Sequence, residues 1–316
     1  MKQNVISLIV SMAAMVAPAS YGQDSRIDSA QSFPEPVVSD ITGVDYSDTK
    51  SGGPVVTTTS GEFGEMPILY RRSNWEPFNV RLDLDVTYTG NATLAPDHEF
   101  DDVYFREALT LSCTPQIKGR FFGDVSVRQA TQVYDEIGEL DFDSLDLYAG
   151  GIYILPREMP LIGDASTFVR YRYNELYERA FSNSFYENQS IILGIQKTWR
   201  PRRGHSFYFG YTSAFSVDTD PELFQRHEHS GFAGYQIKWT DQISTTLNYR
   251  GSYYDYTNFG GRNDVNHILA LDTEYQFNEW ASLRGFASYT WNASDMDQFD
   301  YESGAIGAGV TLQVRF

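Results

Sequence analysis

The histidines are the residues in this sequence with the widest range of possible chemistry. His227 and His229 flank Glu228, and two imidazoles at positions i and i+2 could bind a metal together with Asp218 or Asp220. No second group in the sequence would orient such ligands, so the motif is interpreted as part of a solvated loop. We therefore predict no metal site and no cofactor.

Acyl hydrolysis is a second chemistry, and it needs a serine held beside a histidine base. Four histidines fall in or beside long connections, and His205 borders a short one. His267 has no serine in phase beside it. The sequence therefore predicts that the protein is not an enzyme, with a hydrolase as a minor alternative.

Charged residues that alternate with apolar ones form the third group. Arg170 and Arg172, for example, alternate with Val169, Tyr171 and Tyr173. Side chains at successive positions of a strand point to opposite faces, so these charges share one face. The charged positions predicted to line a polar interior are Lys118, Arg120, Asp124, Arg128, Arg170, Arg172, Arg250, Asp272, Glu274 and Arg284. The arginines could select anions, or the carboxylates could neutralise them and close the interior, and the sequence leaves both possibilities open.

Period-2 alternation dominates the chain from residue 79 onward and predicts β-strands. Residues 81–88, for example, place an apolar side chain at every second position. Twelve such segments occur, at 81–88, 103–113, 117–129, 142–154, 166–177, 189–199, 205–216, 231–239, 242–254, 265–277, 280–292 and 303–316. Most are long enough to cross a hydrocarbon layer as tilted strands of ~9–11 residues. The predicted fold is all-β, an antiparallel transmembrane barrel of about twelve strands.

The connections between these segments alternate in length and in charge. The long ones, taken as 91–102, 131–143, 178–189, 217–229, 255–266 and 293–303, hold 21 acidic residues against three basic ones. Long external loops alternating with short periplasmic turns are typical of outer-membrane barrels. The acidic loops could bridge to anionic headgroups through divalent cations, but a plain solvated surface is the preferred interpretation.

The last strand carries a resemblance to a known class of proteins. In residues 304–316 apolar side chains alternate back from a terminal phenylalanine. This pattern resembles the C-terminal strand of Gram-negative outer-membrane β-barrel proteins. The resemblance implies that Ile306, Ala308, Val310, Leu312, Val314 and Phe316 face lipid. It further implies that Val310, Leu312, Val314 and Phe316 form a signal read by the barrel-assembly machinery, and that the protein resides in the bacterial outer membrane.

The N-terminal residues divide into a targeting segment and a linker. Lys2, an apolar run and small residues up to Gly22 predict a signal peptide, cleaved after Ala19 or Gly22. Residues 23–74 are acidic and rich in Ser, Gly and Thr, which predicts a flexible periplasmic segment. Apolar residues 66–70 could dock on or inside a barrel formed by residues 75–316.

Composition narrows the classes of function. A single cysteine, Cys113, excludes an intramolecular disulfide framework. A net charge of −18 gives no basic surface for nucleic acid. The expected partners are outer-membrane lipids, the barrel-assembly machinery and a small anionic solute. Two functions remain in contention: a porin-like channel for small solutes, and a non-conducting surface barrel whose interior is ion-paired.

Overall fold

The structure is a computed structural model that describes residues 26–27, 54–59, 66–71, 76–97 and 99–316. Within these residues no helix is both long and apolar enough to cross a membrane. The chain is almost entirely strand from residue 78 onward, with single turns of 3₁₀-helix in four connections at 138–140, 179–181, 222–224 and 297–299.

Twelve long strands form a closed antiparallel barrel. They are β3 (Phe78–Thr89), β4 (Asp102–Cys113), β6 (Phe121–Tyr134), β7 (Phe142–Ile154), β8 (Ser166–Tyr177), β9 (Ser184–Arg202), β10 (His205–Asp220), β11 (Arg226–Lys238), β12 (Ile243–Tyr256), β13 (Asn263–Asn278), β14 (Ala281–Ser294) and β15 (Tyr301–Arg315). Each pairs with its neighbour in sequence, and β15 pairs with β3 to close the wall. Closure leaves no unpaired edge, which is the condition for crossing a membrane with strands.

The sequence located all twelve strands but misjudged several of their ends. β7 and β8 begin and end at the predicted residues. The predicted strand 117–129 is wrong at its start, because residues 116–118 form a separate short strand, β5 (Gln116–Lys118), and β6 begins at Phe121. Most strands continue into the polar segments taken as loops; β9, for example, starts at Ser184 rather than 189. A polar segment can continue a strand when the neighbouring strand supplies backbone hydrogen-bond partners. The alternation of apolar residues does not indicate where this backbone pairing ends.

Burial alternates along each strand as the period-2 pattern predicts. In β3 the charged residues Arg81, Asp83 and Asp85 are 0–4% exposed, whereas Val86 and Tyr88 are 53% and 45% exposed. The outer surface is thus apolar and the inner surface polar, the reverse of a soluble sandwich. Because hydrocarbon excludes charges and accepts apolar side chains, this distribution fits a barrel surrounded by lipid.

Two pieces of the N-terminal segment are described. Strands β1 (Pro54–Thr59) and β2 (Met66–Arg71) pair antiparallel, and the sequence did not predict them. Arg26 and Ile27 have a helical backbone conformation. The predicted signal peptide lies outside the described residues, as does most of the segment expected to be flexible.

Several acidic residues of the external connections have structural roles. Asp102 accepts hydrogen bonds from the backbone N–H groups of Glu136 and Ile137, at 3.2 and 2.9 Å. Asp141 accepts one from the N–H of Tyr134 at 2.8 Å, and Asp143 one from the N–H of Phe181 at 3.0 Å. Carboxylates of this kind satisfy loop backbone groups that have no strand partner.

Candidate functional site: the barrel interior

The interior of the barrel contains most of the charged residues predicted to line it. Asp124, Arg128, Arg170, Arg172, Asp272, Glu274 and Arg284 are buried on the inner face, and Arg250 is half-buried there. Two predicted positions are wrong. Lys118 is exposed on β5, and Arg120 lies in the following turn, where its guanidinium donates to the carbonyl of Leu155 at 2.7 Å. The misplaced start of β6 accounts for both errors.

A three-residue ion pair bridges the seam where the first and last strands meet. Arg106 donates to Asp85 Oδ2 through Nη2 at 2.6 Å and through Nε at 3.2 Å. Arg284 Nη2 donates to the other oxygen, Oδ1. All three side chains are almost fully buried. One carboxylate therefore holds two guanidinium groups from β4 and β14, on either side of the closing strands β3 and β15.

Other interior arginines also have carboxylate partners. Arg170 Nε donates to Asp124. Arg172 donates to Asp146 at 2.9 Å. A third pair joins Arg81 to Asp83 at 2.7 Å. Of the arginines predicted to line the interior, Arg170, Arg172 and Arg284 are thus paired with carboxylates. Sequence reasoning missed Arg106, although its alternation with Phe105 marks it as inward-facing by the same rule.

Two kinds of charge remain outside these pairs. The half-buried Arg250 has neither a hydrogen bond nor an ion pair among the described residues, and its Nε is buried without a partner. Asp272 accepts a hydrogen bond from Asn248 Nδ2 at 3.2 Å and has no ion pair within the described part of the chain.

Four inward aromatic rings lie against the wall instead of projecting across the interior. Each covers a glycine on the neighbouring strand so closely that a Cβ at the glycine would overlap the ring. The pairs are Phe168 on Gly194, Tyr208 on Gly234, Phe232 on Gly210 and Phe286 on Gly307. The missing Cβ atoms let these rings lie flat and leave space nearer the axis.

The N-terminal segment reaches the interior near the external end of the barrel. Ile27 is 2% exposed and packs in a cluster with Phe142, Leu176, Tyr186 and Phe224. Arg26 lies 4.0 Å above the ring of Phe185, and burial lowers the pKa of its guanidinium. The expectation for residues 66–70 is not tested by this contact, which involves a different part of the segment.

A second cluster covers the external end from the side of β12 and β13. Arg262 is 1% exposed, paired with Asp264, and lies between the rings of Phe299 at 3.6 Å and Tyr256 at 4.2 Å. Phe259 packs edge-on against Phe299 at 5.3 Å. The external connections therefore fold inward over the barrel mouth.

A serine–histidine contact occurs on the outer surface, at a different histidine from His267. Ser213 Oγ lies 3.0 Å from His229 Nδ1, because the two residues are register partners on β10 and β11. The Tyr211 hydroxyl contacts the same nitrogen at 2.9 Å. Within the described residues no group orients the other ring nitrogen of His229. The contact therefore lacks the third group of a catalytic triad.

The residues of the predicted assembly signal lie together on the outer face of the closing strand. Val310, Leu312, Val314 and Phe316 are exposed. The ring of Phe316 stacks on Phe78 at 5.5 Å, and the two residues exchange backbone hydrogen bonds of 3.0 and 3.1 Å. The lipid-facing positions of β15 are as the resemblance implied, and recognition by the assembly machinery remains a prediction.

Comparison with known proteins places the fold among outer-membrane barrels. No family model and no curated protein sequence matches this chain. The COG4313 outer membrane channel from Pseudomonas putida F1 superposes with a TM-score of 0.54 over 76% of this chain and 96% of that one, at 8% identity. An identity this low shows the fold alone.

Two other structures resemble the chain more weakly. The translocator domain of the autotransporter NalP from Neisseria meningitidis gives a TM-score of 0.42 at 12% identity, covering 76% of this chain and 89% of that one. An anion-selective porin from Comamonas acidovorans gives 0.37 at 8% identity, covering 75% and 98%. Neither score supports an argument. What this chain shares with the Pseudomonas putida structure is the fold, a closed antiparallel β-barrel of the kind found in an outer-membrane channel.

Proposed function

We propose that this outer-membrane barrel is a porin-like channel for small solutes that rests in a closed form. The observation that carries the proposal is the seating of four inward rings on glycines. A Cβ at Gly194 or Gly234 would overlap the ring seated there and push it off the wall toward the axis. Glycine at these positions keeps the aromatic surface of the wall while leaving room for a solute.

The closed form follows from the external end. Ile27 and its cluster on one side, and the Arg262 cluster on the other, cover the mouth with buried side chains. We infer that a solute passes only when the N-terminal segment leaves its position. Since most interior arginines are ion-paired, we expect weak charge selectivity, with Arg250 the contact available to an anionic solute.

A non-conducting barrel is the second candidate, and the buried ion pairs favour it. Asp85 and its two arginines are almost inaccessible, as expected for a filled interior. The two candidates differ in whether the axis ever opens to water.

Single-channel recording of refolded protein in a planar bilayer tests the proposal. For the wild type we expect rare openings with an anion/cation permeability ratio near one. Ile27→Asp places a charge in the apolar cluster and should raise the open probability, whereas Ile27→Val keeps the contact and should match the wild type. No conductance steps in any of the three proteins would refute the channel and leave the non-conducting barrel.

A further inference from the structure

The lipid-facing surface contains one carboxylate where hydrocarbon is expected. Glu107 lies in the middle of β4, and its side chain is exposed on the outer face between Phe105 and Leu109. Its register partner on β3 is Leu84, which lies between the outward rings of Phe78 and Tyr88 near the two ends of that strand. Glu107 is therefore at the level of the apolar belt.

Other outward-facing charges on the described strands lie near a membrane surface. Glu175 is two residues from the end of β8, and Glu302 is the second residue of β15. Lys197 reaches the carbonyl of Leu161 in a periplasmic connection, at 2.6 Å. Glu107 lies too far from either end of β4 to reach a membrane surface. Among the described residues its carboxylate has no hydrogen bond or ion pair. A carboxylate surrounded by hydrocarbon is unfavourable, so we expect the Glu107 side chain to contact a hydrogen-bonding group outside this chain.

Gln129 is the nearest candidate for a complementary group. It is exposed on the outer face of β6, diagonal to Glu107, whose direct register partner is Thr131. The Thr131 hydroxyl already donates a hydrogen bond to Asp143 Oδ1. Like Glu107, Gln129 makes no hydrogen bond within the described part of the chain.

The register fixes the relative heights of the two side chains. Leu84 on β3 pairs with Glu107 on β4, and Glu107 pairs with Thr131 on β6. Thr131 pairs in turn with Asp143 on β7, and Asp143 pairs with Tyr177, the last residue of β8. Each partner thus lies nearer the external end than the one before it, because the strands tilt. Gln129 is two residues back from Thr131 toward the periplasmic end, which returns it to about the level of Glu107.

We propose that this surface binds a second copy of the chain. In this dimer a two-fold axis runs along the membrane normal and passes between β4 and β6. It places Glu107 of each copy opposite Gln129 of the other, which gives two equivalent Glu107–Gln129 pairs. An ionised carboxylate only accepts hydrogen bonds and an amide nitrogen donates two, so each pair is complementary. The exposed side chains of Phe105, Leu109 and Val127 surround the pairs with apolar surface. The proposal does not depend on conduction.

Cysteine crosslinking in intact outer membranes tests the proposal. Leu109→Cys, in a Cys113→Ser background, sits beside the axis; Leu247→Cys in the same background lies on the opposite wall and serves as the control. A short bis-maleimide should give a dimer band with the first cysteine only. Adding Glu107→Leu should lower the dimer fraction about ten-fold, since both hydrogen-bonded pairs are lost.

An exchange variant separates pairing from general effects on folding. Glu107→Gln combined with Gln129→Glu restores both complementary pairs and should restore the dimer band. The shift in gel mobility between unheated and boiled samples verifies that each variant is folded. A dimer band insensitive to Glu107→Leu, an equal band from Leu247→Cys, or adducts only with proteins of other mass would each overturn the proposal.

Discussion

Replacing Asp85 by asparagine isolates the charge at the seam of the barrel, because the two side chains have nearly the same shape. In the wild type this carboxylate accepts hydrogen bonds from Arg106 and Arg284, and all three groups are almost fully buried. Breaking a buried ion pair leaves uncompensated charge and costs about 3–5 kcal/mol. We expect a loss of that size in the free energy of unfolding for Asp85→Asn, and not twice that size, because both arginines share one acid.

Urea unfolding in phospholipid bilayers, followed by tryptophan fluorescence, measures this loss. Asp97→Asn removes an exposed loop carboxylate and should change the free energy of unfolding by less than about 0.5 kcal/mol. Asp85→Leu combined with Arg106→Met and Arg284→Met removes the whole triad and should recover most of the stability. A loss below about 1 kcal/mol for Asp85→Asn would refute the reasoning, because it would mean that water already hydrates the two arginines.

Three further outcomes follow from the interior and the closing strand. Gly194→Ala should push the Phe168 ring toward the axis, lowering stability by about 1–3 kcal/mol in the same urea assay and reducing conductance; unchanged conductance would contradict the proposed seating of the rings. Arg250→Glu should shift the permeability ratio toward cations by roughly two- to ten-fold in bilayer recordings, and no shift would show that solutes do not pass this residue. Phe316→Ala should lower the amount of assembled barrel in outer membranes several-fold while costing the refolded protein only about 1 kcal/mol; equal assembly would remove the residue from the proposed signal.

The sequence predicted the wall of the barrel because the wall obeys one local rule. Alternation in β7 and β8 gave both ends correctly. The same rule failed at Lys118 and Arg120, where Gly119 adopts a left-handed backbone conformation and breaks the phase between β5 and β6. A glycine that interrupts alternation was the signal available there.

The organisation of the interior could not be predicted in the same way. Alternation indicates that Arg106 and Asp85 face inward, but their pairing depends on the register between strands and on closure of the barrel. Arg284 joins them across 199 residues of sequence. The contact of Ile27 with Phe142 and Phe224 likewise joins segments with no shared pattern, since apolar residues in a polar linker do not indicate where they pack.

The central claim is that alternate side chains of each strand meet hydrocarbon on one side and a polar interior on the other. Single cysteines along β6, from Phe121 to Tyr134, can be labelled with an environment-sensitive fluorophore and exposed to a lipid-borne quencher in bilayers. We predict strong quenching at odd-numbered positions such as 125 and 127 and weak quenching at even-numbered ones such as 124 and 126. Uniform quenching along the strand, or strong quenching at the even-numbered positions, would contradict the account.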